Sequence, residues 1–430
     1  LILPIIPKFD ENQVSAVFEV DNFDKKLDTE RGGGTINITT MMAFQETSEG
    51  SVKAENDDVR IERNRDRIIS SIIPDSETTI DSKQEPSFLP FDLPSSCTTS
   101  NLIETCSIKL KYLTWIFLRI RNSDSQIFPN FSSFLLKIRT NELKKNNGTV
   151  KTTIETYLPP LETKVTEANT IFTYMQFLKR LSSEMNMKYT NITLDIGAAM
   201  NAYKLLWGNM KHFSNIVIHI GDFHYIKENF KVIGKLIRSS GFEDIIYQSG
   251  VCTSGSLEGV LGGSHYNRAW RVHQPMLEAL ERLLYERFIE EEKPHISSEM
   301  NEVSIEIDDF SSRYFDIFAL HANEYDNFKN MVRKGFLGKT AAFWLLYVDT
   351  MYLQHQAHIS VQENNFYDRL RTLKRFIPYY FYFNFQNYAR CVSHYVEVLE
   401  RTDNLYPGLK ARLTSTGLSM FKLKNCILKE

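Results

Sequence analysis

Asp195 and Asp222 are the two residues whose type and placing point to chemistry. Asp195 interrupts the short apolar run Ile192 to Ile196, and Asp222 follows the β-branched run Asn215 to Gly221. A helical pattern comes after each run. Strand, helix, strand, helix is the order that makes two neighbouring parallel strands. In such a sheet, ligands meet the carboxyl ends of the strands, which is where both acids fall. Two carboxylates at one sheet edge are half of a cage for divalent ions. Mg²⁺ or Mn²⁺ held there would stabilise the attacking and leaving oxygens at a phosphate. A third acid would come from Glu258 or Asp244, although no spacing brings either to the pair.

The same two residues have a plainer use. An Asp between a strand and a helix accepts the orphan amide hydrogens of the first turn. Asp222, followed by FHYIKENFKVIG, suits that role, and so does Asp195 beside Gly197. Capping is the commoner use of such a position.

Other constellations are weaker. His219 and His224 flank Asp222, but a strand sends His219 and Asp222 to opposite faces, so structural histidines are expected. His355 and His358 have a spacing that zinc tolerates, without a third ligand. Gly335-Phe-Leu-Gly-Lys-Thr looks superficially like a P-loop, yet Arg333 stands where its first Gly belongs. The glycine-rich run Gly255 to Gly263 opens into a helix carrying Arg268 and Arg271. Those two arginines, with Tyr266 and Trp270, are candidates for nucleic-acid backbone contact, as is the cluster Arg369, Arg371, Lys374, Arg375, Phe376. A tight turn needing positive φ is the commoner purpose of such a glycine run, and a solvated helix face explains the basic clusters at least as well. There is no GxSxG elbow, and neither Cys252 nor Cys391 has a context that would activate it.

Behind these residues stands a chain of 430 with a net charge of −3, so any nucleic-acid surface must be a local patch. Five scattered cysteines without a CxxC pair read as reduced thiols of an intracellular protein, nuclear or cytoplasmic. No apolar run approaches the roughly 20 residues of a spanning helix. Residues 1–44 read as a short N-terminal segment with a possible strand at Thr35 to Thr40. Residues 45–105, rich in Asp, Glu, Ser and Asn, read as a disordered linker. Residues 106–430 read as an α/β core. Helices are expected over Thr170 to Met187, His265 to Glu292, Phe315 to Met331, Ala341 to His358, Phe366 to Arg375 and Asn387 to Arg401. The aromatic block Tyr379 to Phe385 suits a strand or a buried helix. The first residue is Leu rather than Met, which reads as a fragment.

The blocks TLDIGAAMNAYKLLW, IVIHIGDFHYIKENFKVIG, SGFEDIIYQSGV and GGSHYNRAWRVHQPMLEALERLL, in that order, resemble a family of long uncharacterised proteins. The family abounds in invertebrate and some fish genomes and is read as derived from transposable elements. It is similar to a domain of unknown function with a G-D-x-H box and a suspected transposase-like ribonuclease-H fold. The resemblance runs from Tyr157 to Gly417, taking in YLPPLETKVTEANTIFTYM and FIPYYFYFNFQNYARCVSHYVEVL. It implies a site at Asp195 and Asp222 holding Mg²⁺ or Mn²⁺, with DNA as the partner. The family often has Gly-Gly-Phe-His where this chain has Gly221-Asp222-Phe223-His224. It also continues into an acidic segment beyond the point where this chain stops, a natural source of the third carboxylate.

The expectation is therefore a mixed α/β protein, with a ribonuclease-H-like central sheet surrounded by many helices behind a disordered N-terminal segment. Its implied function is that of a transposon-derived relative of metal-dependent DNA-processing enzymes, inactive or incomplete in this chain. The competing expectation is a helical interaction module with no enzymatic or nucleic-acid role.

Overall fold

The computed structural model describes residues 16–27, 34–46, 111–116, 118–119, 131, 133–135, 153–161, 163–292 and 324–416. The expected disordered linker lies outside the described residues beyond Glu46, as does the start of the helix expected over Phe315 to Met331. Five strands form one mixed sheet: β1 (Ala16–Leu27), β2 (Gly34–Glu46), β3 (Thr153–Leu161), β4 (Thr190–Leu194) and β5 (Ile216–Ile220), in the order β3-β2-β1-β4-β5. β1, β4 and β5 run parallel, while β2 is antiparallel to both of its neighbours. The two parallel strands expected beside the aspartates are thus present, and β1 makes a third. β1 and β2 come from the segment read as a short N-terminal piece, yet β1 is the middle strand of the sheet.

Each strand follows from its residues. Phe18 and Val20 of β1 are buried while Glu19 and Asp21 are exposed, the period-two alternation of a strand with one covered face. β5 (IVIHI) is buried along its whole length, as expected for a parallel strand covered on both faces. β3 carries Pro159 and Pro160, residues a sheet tolerates at an edge.

Helices surround the sheet. α1 (Ala168–Glu184) buries Ile171, Tyr174, Met175, Leu178 and Leu181, one face at helical spacing. α2 (Ile196–Gly208) follows β4, and α3 (Asp222–Ile237) follows β5. Then come α4 (Phe242–Gln248), α5 (Ser254–Leu261) and the long α6 (Tyr266–Glu292). Residues 324–333 are helical, as expected for the end of the Phe315 to Met331 segment, and α7 (Gly338–Gln362), α8 (Phe366–Tyr382), α9 (Gln386–Glu400) and α10 (Leu409–Thr416) follow, with short helices at Met210–Phe213 and Thr402–Leu405. The aromatic block at Tyr379 resolves as the end of a helix: Tyr380 points into the core while Tyr382 is 82% exposed.

The described residues form two cores. One packs the sheet against α1, α2, α8 and α9. The other gathers α4, α5, α6, much of α7, residues 324–333 and the helical residues 111–116 and 118–119. α3 contributes to both, with Tyr225 and Ile226 in the first and Phe230 and Ile233 in the second. A buried amide chain crosses between them: Tyr380 Oη donates to Asn229 Oδ1 at 2.5 Å, Asn229 Nδ2 to Gln354 Oε1 at 2.9 Å, and Gln354 Nε2 to the Ile226 carbonyl at 2.7 Å. Gly234 of α3 lets α5 close in, since a Cβ there would lie 2.0 Å from the Leu261 carbonyl oxygen. Among the described residues no helix is long and apolar enough to cross a membrane.

The free edge of β5 is finished by side chains. The carbonyls of Ile216, Ile218 and Ile220 accept from Tyr406 Oη at 3.2 Å, Tyr203 Oη at 3.1 Å and Arg369 Nη2 at 3.2 Å. Without these donors, buried acceptors would be left unpaired. Tyr203→Phe should cost about 1–3 kcal/mol, because its bond is fully buried, and Tyr406→Phe about 1 kcal/mol. Urea unfolding checks this: the midpoint should fall, in that order, with an unchanged slope.

Candidate functional site

The three parallel strands end nearly level. Val20 pairs with Leu194, and Leu194 with Ile220, so Asp21, Asp195 and Gly221 lie one residue further on. Asp222 is the first residue of α3. The two acids expected at this edge are both there, in different employment. Asp195 is the N-cap of α2, its Oδ1 accepting from the Ala198 amide at 2.8 Å. Asp222 is not a cap, since Gly221 holds that position. Its Oδ1 accepts from Arg369 Nε at 2.5 Å, across 147 residues of sequence.

Arg369, in the first turn of α8, is 4% exposed and faces Asp222, itself nearly buried. Burial works against the guanidinium charge, and Asp222 beside it more than offsets this, so the pKa is raised and Arg369 stays protonated. Its second contact is the Ile220 carbonyl, and its central carbon lies 5.8 Å from the Tyr395 ring centroid. Nη1 is buried without a hydrogen-bond partner. His219 belongs to the same group. Its Nε2 lies 3.0 Å from Asn191 Oδ1 and its Nδ1 3.1 Å from Tyr395 Oη. An amide oxygen can only accept, so Nε2 carries the proton and Nδ1 accepts from the tyrosine hydroxyl. Burial, then the charge of Arg369, push the His219 pKa down to about 3. It is a neutral structural histidine, as expected.

β1 adds two acids that the sequence reading passed over. Glu19 and Asp21 alternate onto one face, the face that also carries Thr193 and His219 by register. The Glu19 carboxyl is raised by its partial desolvation, then by the charges of Asp21 and Asp222. The signal was present in AVFEVDNF, whose alternation is that of a strand. Among the described residues, no three His, Cys, Asp or Glu side chains gather closely enough to hold a metal ion. Glu258 pairs with Arg238 at 2.9 Å on the surface, and Asp244 sits in the first turn of α4.

Of the two expected phosphate contacts, Arg268 lies beside the edge. Arg268, near the start of α6, lines a shallow cavity with Phe223, His265, Tyr266 and Asn267, while Arg271 is exposed on the same helix. The expected turn appears at Gly263, whose φ is +65°. His355 and His358 pack against Trp270, with ring centroids 4.9 and 5.0 Å away, and burial lowers both pKa values, to about 3 and about 4. Burial raises the Cys391 thiol to about 12, away from nucleophilic use.

Residues 140–425 match the family described as Domain of unknown function (DUF8702), well over half of the chain, which therefore belongs to that family. No curated protein matches the chain, and no solved structure does.

Two outcomes follow from the buried group. Arg369→Met should cost about 3–5 kcal/mol by removing the guanidinium of the buried pair, and adding Asp222→Asn should recover part of the loss in a double-mutant cycle. His219, with its folded pKa below the ordinary value of about 6.5, takes up a proton only on unfolding. Its contribution is complete above pH 6.5 and lost as the pH falls towards 3. Near pH 5 this adds about 1.4 kcal/mol per pH unit to the slope of stability, and His219→Gln should remove that increment from urea midpoints measured between pH 7 and 4.5.

Proposed function

We propose that this member of the family is a transposon-derived relative of metal-dependent DNA-processing enzymes, with a ribonuclease-H-like sheet and a carboxylate edge that no longer forms a two-metal cage. The sheet supports the lineage: β2 alone runs against the other four strands, and acids stand where the central parallel strands end. The single observation that carries the loss of the cage is the Arg369–Asp222 ion pair. A buried guanidinium already neutralises the carboxylate at the end of β5, and a cation placed there would meet a fixed positive charge. Asp195 is engaged by the Ala198 amide. The pair Asp195 and Asp222 therefore does not fit Mg²⁺ or Mn²⁺ as two ions at a phosphate would require. DNA is the partner this lineage suggests, with Arg268 and Arg271 as its backbone contacts.

A second reading, an interaction module with no nucleic-acid role, draws on the aromatic side chains that α8 leaves open at its end, Phe381 and Tyr382. Titration calorimetry with Mn²⁺ tests the first. The native chain should show no saturable binding, and the paired change Asp195→Asn with Asp222→Asn should leave that result unaltered. Saturable binding that the double change abolishes would restore a working metal site and sink the idea of a disabled edge.

A further inference from the structure

We propose that the cavity beside the Gly221-Asp222-Phe223-His224 turn takes single-stranded nucleic acid, one base lying against Phe223 and a neighbouring phosphate on Arg268. This deepens the function proposed above and rests on it for the choice of nucleic acid. The wall of the cavity is aromatic. Phe223 is 49% exposed, although it directly follows the nearly buried Asp222. Its ring packs edge-on against Tyr266, at 5.0 Å between centroids and 62° between planes. About half of the Phe223 ring is thus open beside the carboxyl edge of the sheet, where ligands of such sheets bind.

The rest of the lining supplies what a strand needs beside a stacking surface. Arg268 is exposed, donates to Ser256 Oγ at 3.2 Å, and has no carboxylate partner among the described residues. The remaining guanidinium donors are available to a phosphate. His265 and Asn267 bring further hydrogen-bonding groups to the rim. Lys227 stands one helical turn beyond Phe223 on α3, so the two share a face, and its carbonyl abuts the Gly263 turn that leads into α6. An aromatic platform beside a cation in an open depression is how proteins hold single strands without reading sequence. A duplex keeps its bases stacked on one another and offers Phe223 none. The overall charge of −3 makes the contact local, so affinity should depend on these few residues.

The test is fluorescence anisotropy of a labelled oligothymidylate of about 15 nucleotides, with the full chain, in EDTA and at low salt. The native chain should bind, and a blunt duplex should compete poorly. Phe223→Ala should weaken binding roughly tenfold or more, and Phe223→Trp should preserve it. Arg268→Gln should weaken binding and reduce the slope of log affinity against log salt by about 0.7. Both positions are exposed, so circular dichroism should be unchanged. Binding by the native chain that neither Phe223→Ala nor Arg268→Gln alters would overturn this site while leaving the proposed lineage standing. If the native chain binds neither single strand nor duplex, both the site and the nucleic-acid partner fall. EDTA keeps either result separate from the state of the carboxylates, which Mn²⁺ calorimetry reads.

Discussion

The structure depends on one buried charge. Arg369 reaches the carboxyl end of β5, where the Ile220 carbonyl needs a donor and no further strand among the described residues supplies one. A guanidinium in that place is costly unless a carboxylate lies against it, and Asp222 does. The pair fixes α8 on the sheet from a distance of 147 residues along the chain. α9 is drawn into the same arrangement. Tyr395 offers its ring to the guanidinium and its hydroxyl to His219, which passes the link through Asn191 to β4. The carboxyl end of β5 is thus a packing junction as well as the edge where chemistry would be sought.

The two edges of the sheet are closed by different means. β3 carries prolines and needs little else. β5 is short and buried on every residue, so its outward carbonyls cannot turn to water. Tyr203 comes from α2, Arg369 from α8 and Tyr406 from the turn before α10. Three separate pieces of chain must dock before this edge is satisfied. Much of the helical cover is therefore coupled to a strand of five residues, and the sheet gains a definite end at which no second chain can pair.

Much of this was legible in the sequence where the signal is local. β4, β5, α1 and α6 were read from apolar period and from β-branched runs, because a strand or helix of ordinary length announces its own face. β1 and β2 were not read as part of the core. Their partners β4 and β3 lie beyond residue 150, and pairing over such distances leaves no mark in either stretch alone. Asp195 behaves as its neighbours dictate, since capping is decided within three residues. Asp222 does not, because its partner Arg369 is named by packing and not by spacing. The block at Tyr379 was ambiguous for a related reason: its aromatic residues face both ways, and only the fold reveals that Tyr380 is inside and Tyr382 outside.

A carboxylate that balances a buried arginine cannot also serve a metal ion on equal terms. Drawing Asp222 towards a cation would leave the Arg369 charge uncompensated in a dry interior, a cost of about 3–5 kcal/mol before any metal is bound. A metal would have to exceed that cost, and would have to do so while repelled by the guanidinium itself. Removing Arg369 would not free the site either, because the Ile220 carbonyl and the Tyr395 ring would lose the group that joins them. The acids that escape this constraint are those of β1, where Glu19 and Asp21 are exposed. The β5 side of the edge is thus committed to packing, and the polar and aromatic groups that stand outside the ion pair are the β1 acids on one side, and Phe223 with Arg268 on the other.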